Sequence, residues 1–285
     1  MADNEISDDE TAAAATLAPA LLGPVPADLL RIAVDPALTE DLALALLKRA
    51  DLHPEILQQL AKNANALKTR KVKIALISHP HTPRHVSVPL ARQFYTFDLM
   101  KVALSPGVPA DVKVAIDDVL ISRLKTVTIG ERLTLARRAS GRVAAALLLD
   151  VEKMDGKVAS AETGDRKTGE PTTGERTIDE RKDAAIVARE TRVMQTALEN
   201  PRLTEALVIS SVLRPGASAA LVHAVARHGN WSPRREIRAA LLRTEHLSLA
   251  RALEFSREIP ASSLAEILNS SRLPEKIKDQ LFRER

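Results

Sequence analysis

The chain has 285 residues, 45% of them hydrophobic and only 2% aromatic, with no cysteine and a formal net charge of +4. A core of Leu, Ala, Val and Ile without aromatic bulk suits thin layers of short packed helices and gives poor strand signals. The missing cysteine excludes disulfides, Cys-ligated zinc and Cys-held iron–sulfur clusters. The charge is uneven: residues 1–10 hold five acids and no base, and residues 151–183 hold nine acids and seven bases, so the rest of the chain carries +11 against the −7 of these two segments. A basic body beside acidic segments points to an acidic partner or to self-masking.

Taken in chain order, residues 1–25 are acidic and then Ala- and Pro-rich, and are expected to be disordered. Their acidic start is wrong for a secretory signal, and Pro19, Gly23, Pro24 and Pro26 interrupt the apolar stretch too often for a membrane span. No membrane association and a cytoplasmic location are therefore expected. Residues 26–150 read as a first helical-repeat block. Thr82-Pro83 fits a hydroxyl cap followed by proline at the first helical position, and Pro54 and Pro109 fit in part, each with an acid following in the first turn. Apolar residues recur at helical spacing after the starts, as in Leu42, Leu46, Leu47 and in Val72, Ala75, Leu76. Two further helices are expected around TIGERLTLARRA and GRVAAALLLD. Residues 151–183, rich in Gly, Thr, Glu and Lys, read as a flexible linker. Residues 184–285 read as a second helical block, opening with AAIVARETRVMQTALEN and containing Ser232-Pro233 as a further cap-and-proline start.

The two blocks are related. DPALTEDL from Asp35 aligns with NPRLTEAL from Asn200, and the offset of 165 continues without a gap to the C-terminus. Glu40 meets Glu205, Arg70 meets Arg235, His81 meets His246 and Pro109 meets Pro274, while Ile56, Leu60 and Val72 meet Leu221, Val225 and Ile237. Self-similarity at a fixed offset predicts an α-solenoid of short antiparallel helix pairs, internally duplicated and interrupted by the linker, with residues 35–116 equivalent to 200–281. A weaker step of 44, from Asp35-Pro36 to His79-Pro80, suggests a nested repeat.

The unit that begins Asn200-Pro201-Arg202-Leu203-Thr204 and continues through NWSPRREIRAALLR, with its first-copy counterparts DPALT and ANALKTRKVKIALIS, resembles the leucine-rich repeat variant and related HEAT-like α-solenoids. That resemblance implies a binding scaffold; a few HEAT-like relatives act on DNA. The Cys-bound iron–sulfur domain of the first-described repeat-variant member has no residues to carry it here.

Nothing in the sequence spells out chemistry. There is no phosphate loop, dinucleotide fingerprint or nucleophile elbow, so no enzymatic activity and no cofactor is assigned. His79, His81 and His85 crowd one turn and invite a metal reading, but the second copy keeps only His246 of the three, and no metal is assigned. The candidate surface is basic. Lys68, Arg70, Lys71 and Lys73 lie opposite Arg234, Arg235 and Arg238, all at the starts of equivalent helices, where amides and cations together suit phosphate or carboxylate. Trp231 joins this surface as a potential anchor, although a helix-stapling role is the stronger reading for a lone Trp. The same cations also suit internal ladders with acids such as Glu40 or Glu205. The expected function is a protein-interaction scaffold with an acidic protein partner. The rival is a solenoid that binds duplex nucleic acid through its backbone, which needs none of the aromatic platforms this chain lacks.

Overall fold

The computed structural model describes residues 25–149 and 187–284. The disorder expected for residues 1–25 (all but Val25) and for the linker 151–183 lies outside the described residues. Every regular element among the described residues is helical. Helices α1 to α9 span Ala27–Val34, Glu40–Leu47, Pro54–Lys62, Arg70–Ser78, Arg84–Ala91, Thr96–Leu104, Ala110–Arg123, Ile129–Arg138 and Gly141–Leu149. A short 3-10 turn, Ala66–Lys68, precedes α4. After the linker come α10 (187–198), α11 (Glu205–Leu213), α12 (Ala219–Arg227), α13 (Arg235–Leu241), α14 (Leu249–Ser256), α15 (Ala261–Asn269) and α16 (Glu275–Arg283). The chain divides between Leu120 and Ile121, inside α7, into two compact units.

The 165 offset reappears in the helix starts without exception. Helices α2 to α7 begin at residues 40, 54, 70, 84, 96 and 110, and α11 to α16 begin at 205, 219, 235, 249, 261 and 275. The local reasons differ between the copies. Thr39 accepts the Leu42 amide at 3.4 Å ahead of α2, whereas Thr204 makes no such bond ahead of α11. Pro54 sits at the first position of α3, whereas Ser218 caps α12 by accepting the Leu221 amide at 3.2 Å. Two expected starts move. Thr82 donates to the Leu76 carbonyl, and Pro83 is itself the N-cap of α5; the Ser232-Pro233 pair lies in a turn, with Arg234 as the N-cap of α13.

Within each unit a helix packs on the next but one. In the first, α1 meets α3, α2 meets α4 and α4 meets α6; in the second, α9 meets α11, α11 meets α13 and α14 meets α16. The cores are the aligned apolar positions: Ile56, Leu60, Val72 and Leu76 are buried in one copy, and Leu221, Val225, Ile237 and Leu241 in the other. Full burial of each such side chain contributes about 1.5–3 kcal/mol, which single short helices cannot supply for themselves.

Buried polar side chains set the stacking register. Asn63, just after α3, accepts the Asn65 amide and donates to the Ala33 and Asp35 carbonyls at the end of α1. Asn200, after α10, accepts the Arg202 amide and donates to the Ala136 and Ala139 carbonyls at the end of α8. Ser271, after α15, accepts the Leu273 amide and donates to the Leu242 carbonyl. His79, after α4, accepts the His81 amide at 3.2 Å and donates from Nε2 to the Arg49 carbonyl at 2.8 Å. Each staple ties the C-terminal end of one helix to that of the helix two earlier, so stacked helices run parallel and their N-terminal ends share an edge. The step of 44 is reinterpreted by this geometry. Asp35 and His79 occupy the same kind of turn, each accepting the amide two residues on, but 44 residues separate α2 from α5, three helices along, whereas the stacked pairs α1 and α3, α2 and α4, α4 and α6, α11 and α13, and α14 and α16 begin 26–30 residues apart.

Candidate functional site

The basic helix starts are the first candidate, and the structure brings most of them against acids of the same unit. Lys71 lies 3.6 Å from Glu40. In the second copy the Glu205 carboxylate, equivalent to Glu40, takes Arg234 at 2.9 Å instead. Arg70 pairs with Asp98, whose side chain is only 2% exposed against 62% for the arginine. One row back, Lys73 donates to Gln93 at 3.1 Å, and its counterpart Arg238 pairs with Glu258, the counterpart of Gln93. Arg238 is sunk to 12% exposure, its guanidinium over the Phe255 ring and its Nε donating to the Ser232 carbonyl at 2.7 Å. These cations therefore form ladders across neighbouring helices. Lys68 and Arg235 remain exposed, and Ser263 stands where Asp98 faces Arg70, so Arg235 has no ion pair among the described residues.

Trp231 leaves the candidate surface. It is 5% exposed, its Nε1 donates to the Leu198 carbonyl at 2.8 Å, and Arg234 lies over its outer face at 4.5 Å. An indole whose only donor is satisfied inside the fold is part of the packing at the start of α13, as a lone Trp most often is.

The three histidines of SHPHTPRH do not converge. Both His79 ring nitrogens are engaged, because a carbonyl can only accept and an amide can only donate, which leaves no lone pair for a metal. Burial pushes its pKa below the ordinary value, against the pull of its bond to the Arg49 carbonyl. His81 donates from Nδ1 to the Leu52 carbonyl at 3.0 Å, and His85 is exposed on the first turn of α5.

What sequence reading did not assemble is a groove of about 1020 Å³ in the first unit, along the shared edge where α3, α5 and α7 begin. Its walls are proline: Pro54, Pro80, Pro83, Pro89 and Pro109. Pro89 lies inside α5 and lacks the amide that would donate to the His85 carbonyl. His81, Arg84, His85 and Arg92 line it, and Asp111 is its one carboxylate. Pro83, the N-cap of α5, offers no side-chain acceptor to the first amides of that helix. The signal was present as Pro54, Pro83 and Pro109, read singly as helix starts. That they form one wall follows only from the stacking of every second helix.

The second copy keeps His246, Arg257 and Pro274 at the positions of His81, Arg92 and Pro109, but has Ala219 for Pro54, Glu245 for Pro80, Ser248 for Pro83, Leu249 for Arg84, Ala250 for His85, Glu254 for Pro89 and Lys276 for Asp111. Glu254 there pairs with Arg251 at 2.6 Å. No helix among the described residues is long and apolar enough to cross a membrane. No family model, curated protein or solved structure matches the chain.

Proposed function

We propose that this chain is a non-enzymatic helical-repeat scaffold and that it takes a protein partner in the proline-lined groove of its first unit. The observation that carries the reading is the divergence of the two copies. Helix starts, core positions and the Glu40 and Glu205 ion pairs persist between them, whereas Pro54, Pro80, Pro83, Arg84, His85 and Pro89 of the groove do not. Positions that serve the stack alone have reason to stay alike in both copies. A rigid apolar concavity with a few polar groups in one copy only has the makings of a recognition site. Proline walls have no rotamer freedom to lose when a partner settles on them.

Duplex nucleic acid binding is the weaker reading, because most of the cations that suggested it are held by carboxylates of the same unit. Nonspecific duplex DNA titrated across a range of salt is expected to bind weakly and with a shallow slope; a steep slope would restore the rival.

The direct test is site-specific photo-crosslinking. A benzoylphenylalanine at Val88, in the groove, is expected to capture a discrete protein that excess wild-type chain competes away. The same probe at Leu253, the aligned position of the second copy, is expected to capture none. Equal capture from both positions would remove the groove from the proposal.

A further inference from the structure

We infer that the second unit carries a binding site for a phosphate monoester dianion, formed by Arg214, Arg243 and Arg272. The site lies wholly in that unit and does not rest on the groove of the first.

Two backbone carbonyls bring the three arginines together. The Arg272 amide donates to the Arg243 carbonyl at 3.1 Å, and the Arg272 guanidinium donates from Nη2 to the Leu213 carbonyl at 3.0 Å, one residue from Arg214. All three line one shallow cleft, with Thr244, Glu245 and His246, where the chain leaves α11, α13 and α15.

Arginines beside helix C-termini ordinarily serve the free carbonyls there. Here other groups already serve them. The Leu241 carbonyl accepts the Thr244 hydroxyl at 2.7 Å, the Leu242 carbonyl accepts the Ser271 hydroxyl at 2.6 Å, and the Leu213 carbonyl takes Arg272. The guanidiniums of Arg214 and Arg243 make no hydrogen bond or ion pair among the described residues. Arg272 uses one of its five donors on Leu213. Glu245 is the cleft's one carboxylate, and it lies 3.3 Å from His246. On its other side Arg243 borders Glu236 and Glu266 without an ion pair to either. Three guanidiniums around one carboxylate repel one another and leave an excess of donors, which an anion from outside relieves.

The chemistry of those donors selects the anion. A guanidinium fork grips phosphate oxygens two at a time, and a dianion can answer more than one fork, whereas a carboxylate brings a single charge. Clusters of arginine are a recurring receptor for phosphorylated side chains. The cleft encloses only about 10 Å³, so it holds the phosphate itself and leaves the carrier outside.

The first copy does not build this site. Its aligned positions are Arg49, Ser78 and Gly107, with Lys48 for Leu213 and Pro80 for Glu245. The turn is the same, since a Cβ on Gly107 would stand 3.2 Å from the Ser78 carbonyl oxygen. Its one guanidinium is already engaged: Arg49 donates to both Asp51 oxygens, at 3.1 and 2.8 Å, and the second copy has Gly216 in place of that acid.

The test is titration calorimetry on the full chain at physiological salt. Three ligands are compared: a decapeptide of Gly and Ala with one central phosphoserine, the same peptide with serine, and glycerol phosphate. The variants are Arg214→Gln and Arg243→Gln, which keep most of the stem and remove guanidiniums without partners, so their melting temperatures are expected to stay within about two degrees of the wild type. Arg227→Gln removes the same charge at an exposed arginine that does not line the cleft. The phosphopeptide is expected to bind about tenfold or more tightly than the serine peptide. Each cleft variant is expected to weaken it about tenfold, the factor for one charge-assisted hydrogen bond, and Arg227→Gln less than about twofold. Equal binding of the two peptides, unchanged affinity in both cleft variants, an equal loss in Arg227→Gln, or failure of both phosphate ligands would overturn the inference. Tighter binding of the phosphopeptide than of glycerol phosphate supports the site and assigns it to a phosphate carried on protein; the reverse order supports it and assigns it to a free phosphorylated molecule.

Discussion

Helix α4 and helix α13 begin at aligned positions, on aligned arginines, and use them differently. Arg70 covers a buried carboxylate, while Arg235 faces Ser263 at the aligned place and stays in solvent. One row on, the order reverses: Lys73 reaches a neutral Gln93, while Arg238 is sunk against Phe255 and paired with Glu258. Both copies keep a cation on the Glu40 or Glu205 carboxylate, but from different helix positions, Lys71 in one and Arg234 in the other. Between the two aligned stretches the Glu40 and Glu205 carboxylates stay and the cations that meet them change. Identity between copies is therefore a weaker guide to a shared role than the geometry around each residue.

The largest effect expected from breaking this comparison is at Trp231, whose counterpart is the small buried Ala66. Trp231→Ala should cost about 3–5 kcal/mol in urea denaturation, as for other large-to-small changes in a packed core. It should leave groove binding untouched in the surviving folded protein. A cost near zero would return the indole to the surface.

Next in size is the pair of charge reversals. Arg70→Glu places a carboxylate against the buried Asp98, one of whose oxygens already lacks a hydrogen-bond partner, and should cost about 2 kcal/mol. Arg235→Glu, with Ser263 opposite, should stay within about 0.5 kcal/mol, the usual range for exposed positions. Equal costs would show that the two arginines share one role after all.

Acid sensitivity separates the copies at their turns. Burial holds His79 below its ordinary pKa in the first copy and does the same to His228 in the second, although their aligned positions are Thr244 and Asn63. A base with a depressed folded pKa leaves stability intact above the unfolded value, about 6.5, and loses it as pH falls below that, because the unfolded chain takes the proton first. His79→Asn should keep the staple, since Asn63 and Asn200 make the same two kinds of bond, and should flatten the loss of stability between pH 6.5 and acid. An unchanged pH profile would mean that His79 does not titrate across the transition.

The smallest expected effect sharpens the comparison at the outer face of each copy. Leu42 is 57% exposed, whereas its counterpart Leu207 lies beside Gly141 at the start of α9. Leu42→Ser should shift the melting temperature by no more than a degree or two, while Leu207→Ser should cost about 1 kcal/mol more. Glycine is required at 141 by the close approach of the Arg202 backbone, whose carbonyl oxygen a Cβ there would overlap.

Much of the fold was legible in the chain because its signals are local. Proline and hydroxyl residues mark or adjoin many of the helix starts, apolar residues recur at three and four, and an ungapped offset of 165 carries one copy's boundaries onto the other. Each of these reflects interactions within a turn or two of backbone, where spacing in sequence is spacing in space. The side-chain partners were not legible. Asp98 is 28 residues from Arg70, and Glu190 is 58 from the Arg132 it meets at 2.7 Å. Nothing in the spacing says which acid a cation will face until the stack has formed. The proline wall was hidden for the same reason. Pro54, Pro83 and Pro109 are separate helix starts in sequence, and they share an edge only once α3, α5 and α7 lie side by side in the first unit. Sequence thus determined where the helices begin and which faces are apolar, through backbone preferences that act locally. Tertiary structure alone decided which charges are neutralised and where the proline-lined groove opens, because both depend on contacts between residues far apart along the chain.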